Sequence, residues 1–268
     1  MKLEAIRLEE ARLKGLSKEE HWPLMHERHR AFPAVFESRE HRRILDISAG
    51  VGFVAKRITD QYSVPGGEVE VFCNDLSPTC LQILRERELS AVTFDLDNDK
   101  ESFPFPDKSF DAIVCLATIE HLINVNHFLE ELLRILKDDG RLYLSAPNYS
   151  GLPYLIPFLL NGKTFHDPLG EHSEYEFYAH VRYFTYRTLS ELSCSLGFSL
   201  DSVYLPVPGE STHYQKMREK SKLKALTAKT LMTLLYKLGS PRWASEPILC
   251  FSKNLPGMNG HTPRKVVL

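Results

Sequence analysis

A chain of 268 residues, 43% hydrophobic and 25% charged, is long enough to bury a full core, as one large domain or as one domain with insertions. Its formal net charge of -2 gives no global attraction to phosphate backbones or anionic lipid, so no nucleic-acid partner is expected unless a local patch supplies one. The five cysteines, Cys73, Cys80, Cys115, Cys194 and Cys250, lack any C-x-x-C pair, no stretch approaches the roughly 20 apolar residues of a membrane span, and the opening MKLEAIRLEEARLKGLSKEE has no signal-like apolar core, all of which places the protein in the cytoplasm.

Residues 3–14 carry Leu3, Ile6, Leu8 and Leu13 among charges, the spacing of a short amphipathic helix. A second helical stretch, about Lys18 to Ser38 with Pro23 and Pro33 as interruptions, leads to His41-Arg42-Arg43; residues 1–40 thus read as an N-terminal helical segment. From Ile44 the alternation becomes regular. Ile44 to Ile47 is a strand, a glycine turn follows, Phe53 to Tyr62 is a helix and Val69 to Asp75 a second strand. A helix from Ser77 to Glu88, with Ser77 as cap and Pro78 in its first turn, precedes a third strand, Ala91 to Asp95.

Phe110 to Leu116 has the apolar centre of a strand buried on both faces. A helix from Asn126 to Leu136, a turn at Asp139-Gly140 and a fifth strand, Arg141 to Ala146, complete a first half spanning 41–148. Residues 149–187, rich in aromatics, prolines and histidines without a clean period, read as a cap inserted after the fifth strand. The C-terminal part, 188–253, holds a helix from Thr188 to Leu196, a strand from Phe198 to Leu205, a long basic helix over about 213–238 and a last strand, Ile248 to Ser252; 254–268 is expected to be a disordered tail. The fold class expected over 1–268 is a single α/β domain, a Rossmann-like, doubly wound, mostly parallel seven-stranded sheet with helices on both faces.

Gly50-Val51-Gly52-Phe53-Val54-Ala55 satisfies the G-x-G-x-x-A pattern of dinucleotide sites, in which pyrophosphate meets backbone N–H groups at a helix N-terminus. Here, however, Asp46 stands at the strand's end, four residues before the first glycine. A carboxylate pointed into that turn repels a pyrophosphate and favours a ligand with an ammonium and a sulfonium beside its adenosine, which is S-adenosylmethionine. Asp75, about 25 residues beyond Gly50, is placed to accept hydrogen bonds from both ribose hydroxyls. Asp95, ending the third strand, is placed to accept one from the adenine amino group.

The ordered set Ile44-Leu45-Asp46-x-x-Ala49-Gly50-x-Gly52, Asn74-Asp75-Leu76-Ser77, Phe94-Asp95-Leu96, Phe103 to Asp111, Glu120-His121 and Arg134 to Gly140 resembles the successive motifs of class I S-adenosylmethionine-dependent methyltransferases, strongly over about 41–148 and more weakly over His180 to Phe198. The resemblance implies that Asp46 and the turn Ser48, Ala49, Gly50 and Gly52 hold the methionine end. It places Asp75 with Leu76 at the ribose, Asp95 with Leu96 at the adenine, and Leu116 and Ala117 beside the sulfonium. Asp111, in the same scheme, is structural. One departure stands out: the first glycine of the family's turn is Ser48 here, whose β-carbon narrows the backbone angles and crowds the ligand.

Methyl transfer from a sulfonium needs mainly alignment of an acceptor at about 3 to 3.5 Å from the methyl carbon. A hydroxyl acceptor gains from a general base, and the segments expected to roof the strand edge offer Glu120, His121, Tyr149, His166, His172, His180 and Tyr183. Of these, His121, Glu120 and His180 are the candidate catalytic groups. The irregular spacing of the histidines argues against a metal centre. The basic helix, with lysines among Leu223, Leu226, Leu231, Leu234, Leu235 and Leu238, reads as packed by its leucines, with an anionic or lipid-linked acceptor, a peripheral membrane contact or a homodimer contact as its other readings. The activity expected is methyl transfer to a small-molecule acceptor at oxygen, a sugar or lipid-linked metabolite. An NAD(P)-dependent oxidoreductase and a non-catalytic protein that kept the fold are the alternatives.

Overall fold

Apolar runs too short for a helix become strands, and amphipathic stretches become helices, some of them capped by a side chain, as at Ser77, Thr185, Ser211 and Ser221. The computed structural model describes residues 2–14, 26–29, 40–62, 67–163, 166, 174–254 and 262–268. In chain order the elements are α1 (Lys2–Leu13), β1 (Arg43–Ile47), α2 (Phe53–Gln61), β2 (Glu70–Asn74), α3 (Pro78–Glu86), β3 (Ser90–Val92), β4 (Phe110–Leu116), α4 (Val125–Ile135) and β5 (Leu136–Ser145). The chain continues with α5 (Leu152–Asn161), α6 (Glu174–Ala179), α7 (Tyr186–Ser195), β6 (Phe198–Leu205), α8 (Thr212–Lys220), α9 (Lys222–Leu238), β7 (Ile248–Lys253) and β8 (Arg264–Val267).

The strands form one sheet in the order β3-β2-β1-β4-β5-β7-β6-β8. β1, β2, β3, β4 and β5 pair in parallel, and β7 runs antiparallel to both β5 and β6. The order reverses between β1 and β4, so the loops leaving their carboxyl ends diverge and open a crevice, the usual ligand position in such sheets. One face of the sheet is covered by α4 and α7, with Phe128, Leu129, Leu132 and Leu189 packed on Leu45, Ile113 and Leu142. On the other face, Val54, Ala55 and Ile58 of α2 and Leu84 of α3 pack on Ile44, Val114 and Tyr143. Burial of each such side chain contributes about 1.5 to 3 kcal/mol.

The differences from the sequence reading have local causes. The sheet has eight strands rather than seven, because Arg264–Val267, read as tail, pairs in parallel with β6 from Ser202 to Leu205. Two basic residues followed by two valines carry too little pattern to be read without a partner edge. The long basic helix is two helices, broken at Ser221, whose backbone is extended and whose hydroxyl accepts from the Lys224 N–H to cap α9. β3 stops at Val92, which leaves Asp95 in the loop beyond it. Asp139-Gly140 lies inside β5 rather than in a turn before it. The helix expected over Lys18 to Ser38 falls almost wholly outside the described residues, as does His172.

Candidate active site

Two groups of polar side chains gather at the carboxyl edge of the parallel strands, one around the loop after β1 and one above β4 and β5. In the first, the turn from β1 into α2 is made by left-handed residues: Ser48 at φ 51°, Gly50 at φ 56° and Gly52 at φ 83°. A β-carbon on Gly52 would strike Leu84 and Leu89, so this glycine serves the packing of α2 against α3. A β-carbon on Gly50 would meet nothing within 4 Å, so the backbone there borders open space. Ser48 accepts the left-handed strain as a non-glycine, and its side chain is exposed. Ala49 is tied to β2 by its N–H, which donates to the Asn74 carbonyl at 2.9 Å.

Asp46 is 3% exposed, and its Oδ2 has no hydrogen-bond partner. Burial pushes its carboxyl up to about 8, against a small lowering from the Ala55 backbone N–H, and neighbouring Asp75 adds to the rise. Asp75, at the end of β2, is raised to about 6, again by burial first, although it accepts hydrogen bonds from the N–H groups of Ser77 at 2.8 Å and Gly50 at 2.9 Å. A buried and a half-buried carboxyl at adjacent strand ends, the buried one with an orphan oxygen, constitute a demand for a cation or for hydrogen-bond donors. Leu76 is half-buried beside them. Asp95 caps its own loop by accepting from the Asp97 N–H at 3.1 Å, and Leu96 is buried in the core below.

The second group begins where β4 ends. Leu116 is buried, Ala117 is left-handed at φ 51°, and its N–H donates to the Ser145 carbonyl. A single helical turn, Ile119–His121, then presents Glu120 and His121. Glu120 is 1% exposed and neither carboxyl oxygen has a hydrogen-bond partner; burial, with Glu246 adding to it, raises it to about 8. Its Oε1 lies 4.0 Å from His121 Nε2 and 3.9 Å from His180 Nε2, beyond hydrogen-bond reach. His121 Nδ1 sits 3.0 Å from the Ala179 carbonyl, which fixes the proton on that nitrogen.

His180 Nδ1 is 2.9 Å from the Tyr149 hydroxyl, which in turn is 2.7 Å from His166 Nε2. Burial, with His121 and His166 adding to it, drives His180 down to about 3, so its ring is neutral at pH 7. The backbone locks this roof to the strand edge: the N–H groups of Val181 and Arg182 both donate to the Glu120 carbonyl. Tyr183 is exposed, with its ring 5.1 Å from that of Tyr149.

Several polar groups of this edge carry no readable local signal. Glu246, just before β7, accepts from the Ser145 hydroxyl at 2.9 Å and pairs with Arg28 at 2.7 Å. Asp97 Oδ1 accepts from the N–H groups of Ile123 and Asn124, stapling the loop after β3 to the loop after β4. Only the D-L-D repeat at 95–97 hinted at it. Glu10 of α1 accepts from both Ser77 and Thr79 at the start of α3, so α1 borders the Asp75 side of the crevice.

Asp111 lies at the opposite, amino edge. It accepts from the N–H groups of Arg42 and Arg43 and pairs with Lys137 at 2.6 Å, a fully satisfied structural role.

The sequence model of a methyltransferase-domain family matches residues 18–203. A demethylmenaquinone methyltransferase of Tropheryma whipplei is 36% identical over 101 residues, 37% of this chain and 39% of that protein. The ubiquinone/menaquinone biosynthesis C-methyltransferase UbiE of Ectopseudomonas mendocina is 30% identical over 122 residues, 44% of this chain and 46% of its own. The likeness thus spans less than half the length of each relative. A SAM-dependent methyltransferase structure from Thermotoga maritima superposes with a TM-score of 0.59 at 16% identity, covering 92% of this chain and 98% of that one, which shows a shared fold. With the family match over most of its length and the doubly wound sheet beneath it, the chain belongs to the methyltransferase-domain family, of the class I, S-adenosylmethionine-dependent kind.

Proposed function

We propose that this chain transfers the methyl group of S-adenosylmethionine to an ionisable hydroxyl of a small molecule. The observation that carries the reading is the pair of buried acids with unpartnered oxygens at one sheet edge, Asp46 near the end of β1 and Glu120 beside two histidines above β4. The first answers a cationic cofactor and the second an acceptor. A pyrophosphate would meet in Asp46 no positive group and, once that carboxyl ionises, a like charge, which speaks against a nicotinamide dinucleotide.

When bound, S-adenosylmethionine supplies an already activated methyl group, so the protein's share is binding, alignment and proton handling. In this reading Asp46 and the Ser48–Gly52 turn hold the methionine end, with Gly50 leaving backbone room for it. Asp75 with Leu76 holds the ribose, and Asp95 with Leu96 the adenine. Leu116 and the strained Ala117 border the reacting centre. Glu120, His121 and His180 receive the acceptor's hydroxyl, and the Tyr149–His166 pair holds His180 in place.

The names of the two sequence relatives favour a second reading, in which the same hydroxyl lies on a ring and its ionisation directs the methyl group to a neighbouring carbon. Leu159 and Leu160 of α5 and Leu223, Leu231 and Leu238 of α9 are all more than half exposed, which supports an acceptor with an apolar part and, with the lysines of α9, a peripheral lipid contact. Among the described residues no helix is long and apolar enough to cross a membrane.

Incubating the chain and ¹³C-methyl-labelled cofactor with cell extract tests the proposal. A labelled small molecule is expected, and its methyl resonance distinguishes an O-methyl from a C-methyl product. Label on protein or RNA alone, or no label in the presence of bound cofactor, would refute it.

A further inference from the structure

We propose that Glu120, His121 and His180 form a binding site for a divalent transition-metal ion, with open coordination positions facing the acceptor. The inference rests on the reading of this edge as the acceptor site and assigns that site an inorganic component.

The three side chains come from two separated segments, the turn after β4 and the loop after α6. They bring one carboxylate oxygen and two imidazole nitrogens within 4.8 Å of one another. Ligands at about 2.0 to 2.2 Å from a tetrahedral or octahedral ion stand about 3 to 4 Å apart, so a small contraction completes the set. At 3.9 and 4.0 Å the Glu120–His distances are too long for hydrogen bonds, whereas they suit groups that share a central ion. Both Glu120 oxygens lack a hydrogen-bond partner at 1% exposure, an arrangement that direct pairing with the histidines does not relieve.

The outer contacts are those a metal-bound histidine needs. His121 donates its Nδ1 proton to the Ala179 carbonyl, which turns the Nε2 lone pair toward Glu120. For His180 the partner is the Tyr149 hydroxyl. When the Tyr149 hydroxyl donates its hydrogen bond to His166 Nε2, His180 donates Nδ1–H to the phenol oxygen and presents its Nε2 lone pair to Glu120. Two neutral imidazoles and one carboxylate suit zinc, iron(II) or manganese(II), and three protein ligands leave positions for oxygen atoms of the acceptor or for water.

The test uses the untagged full chain after chelator treatment. Zn²⁺ is titrated by calorimetry, Co²⁺ is followed by its visible absorption, and S-adenosylmethionine binding is measured on the same metal-free sample. One ion per chain is expected, with Co²⁺ bands of a nitrogen- and oxygen-ligated ion. The affinity should fall at least about tenfold in Glu120→Gln and in His180→Ala, each checked for native circular dichroism and retained cofactor binding. Absence of stoichiometric binding, or equal affinity in wild type and variants, would overturn the metal site. Cofactor binding by the metal-free protein would show that the methyltransferase reading survives that result. Metal binding without cofactor binding would instead overturn the reading of Asp46 and Asp75 as cofactor-holding acids and leave the metal site standing.

Discussion

The two edges of the parallel sheet treat their acids in opposite ways. At the amino edge, Asp111 is surrounded by two backbone N–H groups and the Lys137 ammonium; burial alone would raise its carboxyl, but the Lys137 hydrogen bond and the two amides overcome this and hold it below the usual range. At the carboxyl edge, Asp46 and Glu120 are buried with orphan oxygens and are pushed up to about 8. An acid satisfied by its own chain is a structural part. An acid left unsatisfied in a folded interior costs stability, and that cost is tolerated where a ligand relieves it.

The largest effect expected from breaking this contrast lies at the acceptor. His180→Ala should lower kcat by about a hundredfold or more, the scale for loss of a group that aligns the acceptor, with the cofactor Kd unchanged. Steady-state kinetics alongside cofactor calorimetry check the split, and a change in Kd with kcat intact would move His180 out of the acceptor site.

Next, Asp75→Ala should weaken cofactor binding by about a hundredfold, since charge-assisted hydrogen bonds contribute about 1.5 to 3 kcal/mol each. Calorimetry reads this directly, and undiminished affinity would contradict the placement of the ribose.

Asp111→Ala should cost about 2 to 3 kcal/mol of stability, read by urea denaturation, while leaving cofactor affinity as it is. A loss of affinity there would erase the distinction between the edges.

A smaller effect concerns pH. Asp46 has an ordinary carboxyl value of 3.8, raised to about 8 in the fold, so between these limits the folded chain keeps a proton that the unfolded chain has released. The stability tied to this proton is complete below about pH 4 and is lost as pH rises through about 8. Cofactor affinity should move the other way and strengthen over the upper part of that window, because a cationic ligand binds the carboxylate. Asp46→Asn should flatten both trends, as read by thermal denaturation and calorimetry at several pH values.

The smallest effect is at the surface. Co-sedimentation with vesicles containing anionic lipid should be salt-sensitive and should drop in Leu231→Ser, with activity toward a soluble acceptor intact. Concentration-dependent self-association in place of vesicle binding would assign the leucines of α9 to a dimer contact.

Local pattern was enough to specify the fold class, the first seven strands to within a few residues and the order of acids along one sheet edge. These are local properties: apolar periodicity specifies an element, and Asp46 and Asp75 stand where strands end because the loops begin there. Glu120 and His121 were legible as candidates because the turn after a central strand faces the crevice whatever its residues, and His180 because the segment after the fifth strand was expected to roof that edge.

Tertiary structure alone decided three things. β8 exists because β6 offers an unpaired edge to a segment too short to announce itself. The basic helix breaks because Ser221 caps a second helix better than it continues the first. And Glu120 meets His180 across 60 residues of sequence, with Tyr149 and His166 behind it, because the loop after α6 folds back so that Val181 and Arg182 bind the Glu120 carbonyl. Spacing along the chain carries no trace of such a contact, so the irregular histidine spacing that argued against a metal ion could not foretell the cluster that the fold assembles.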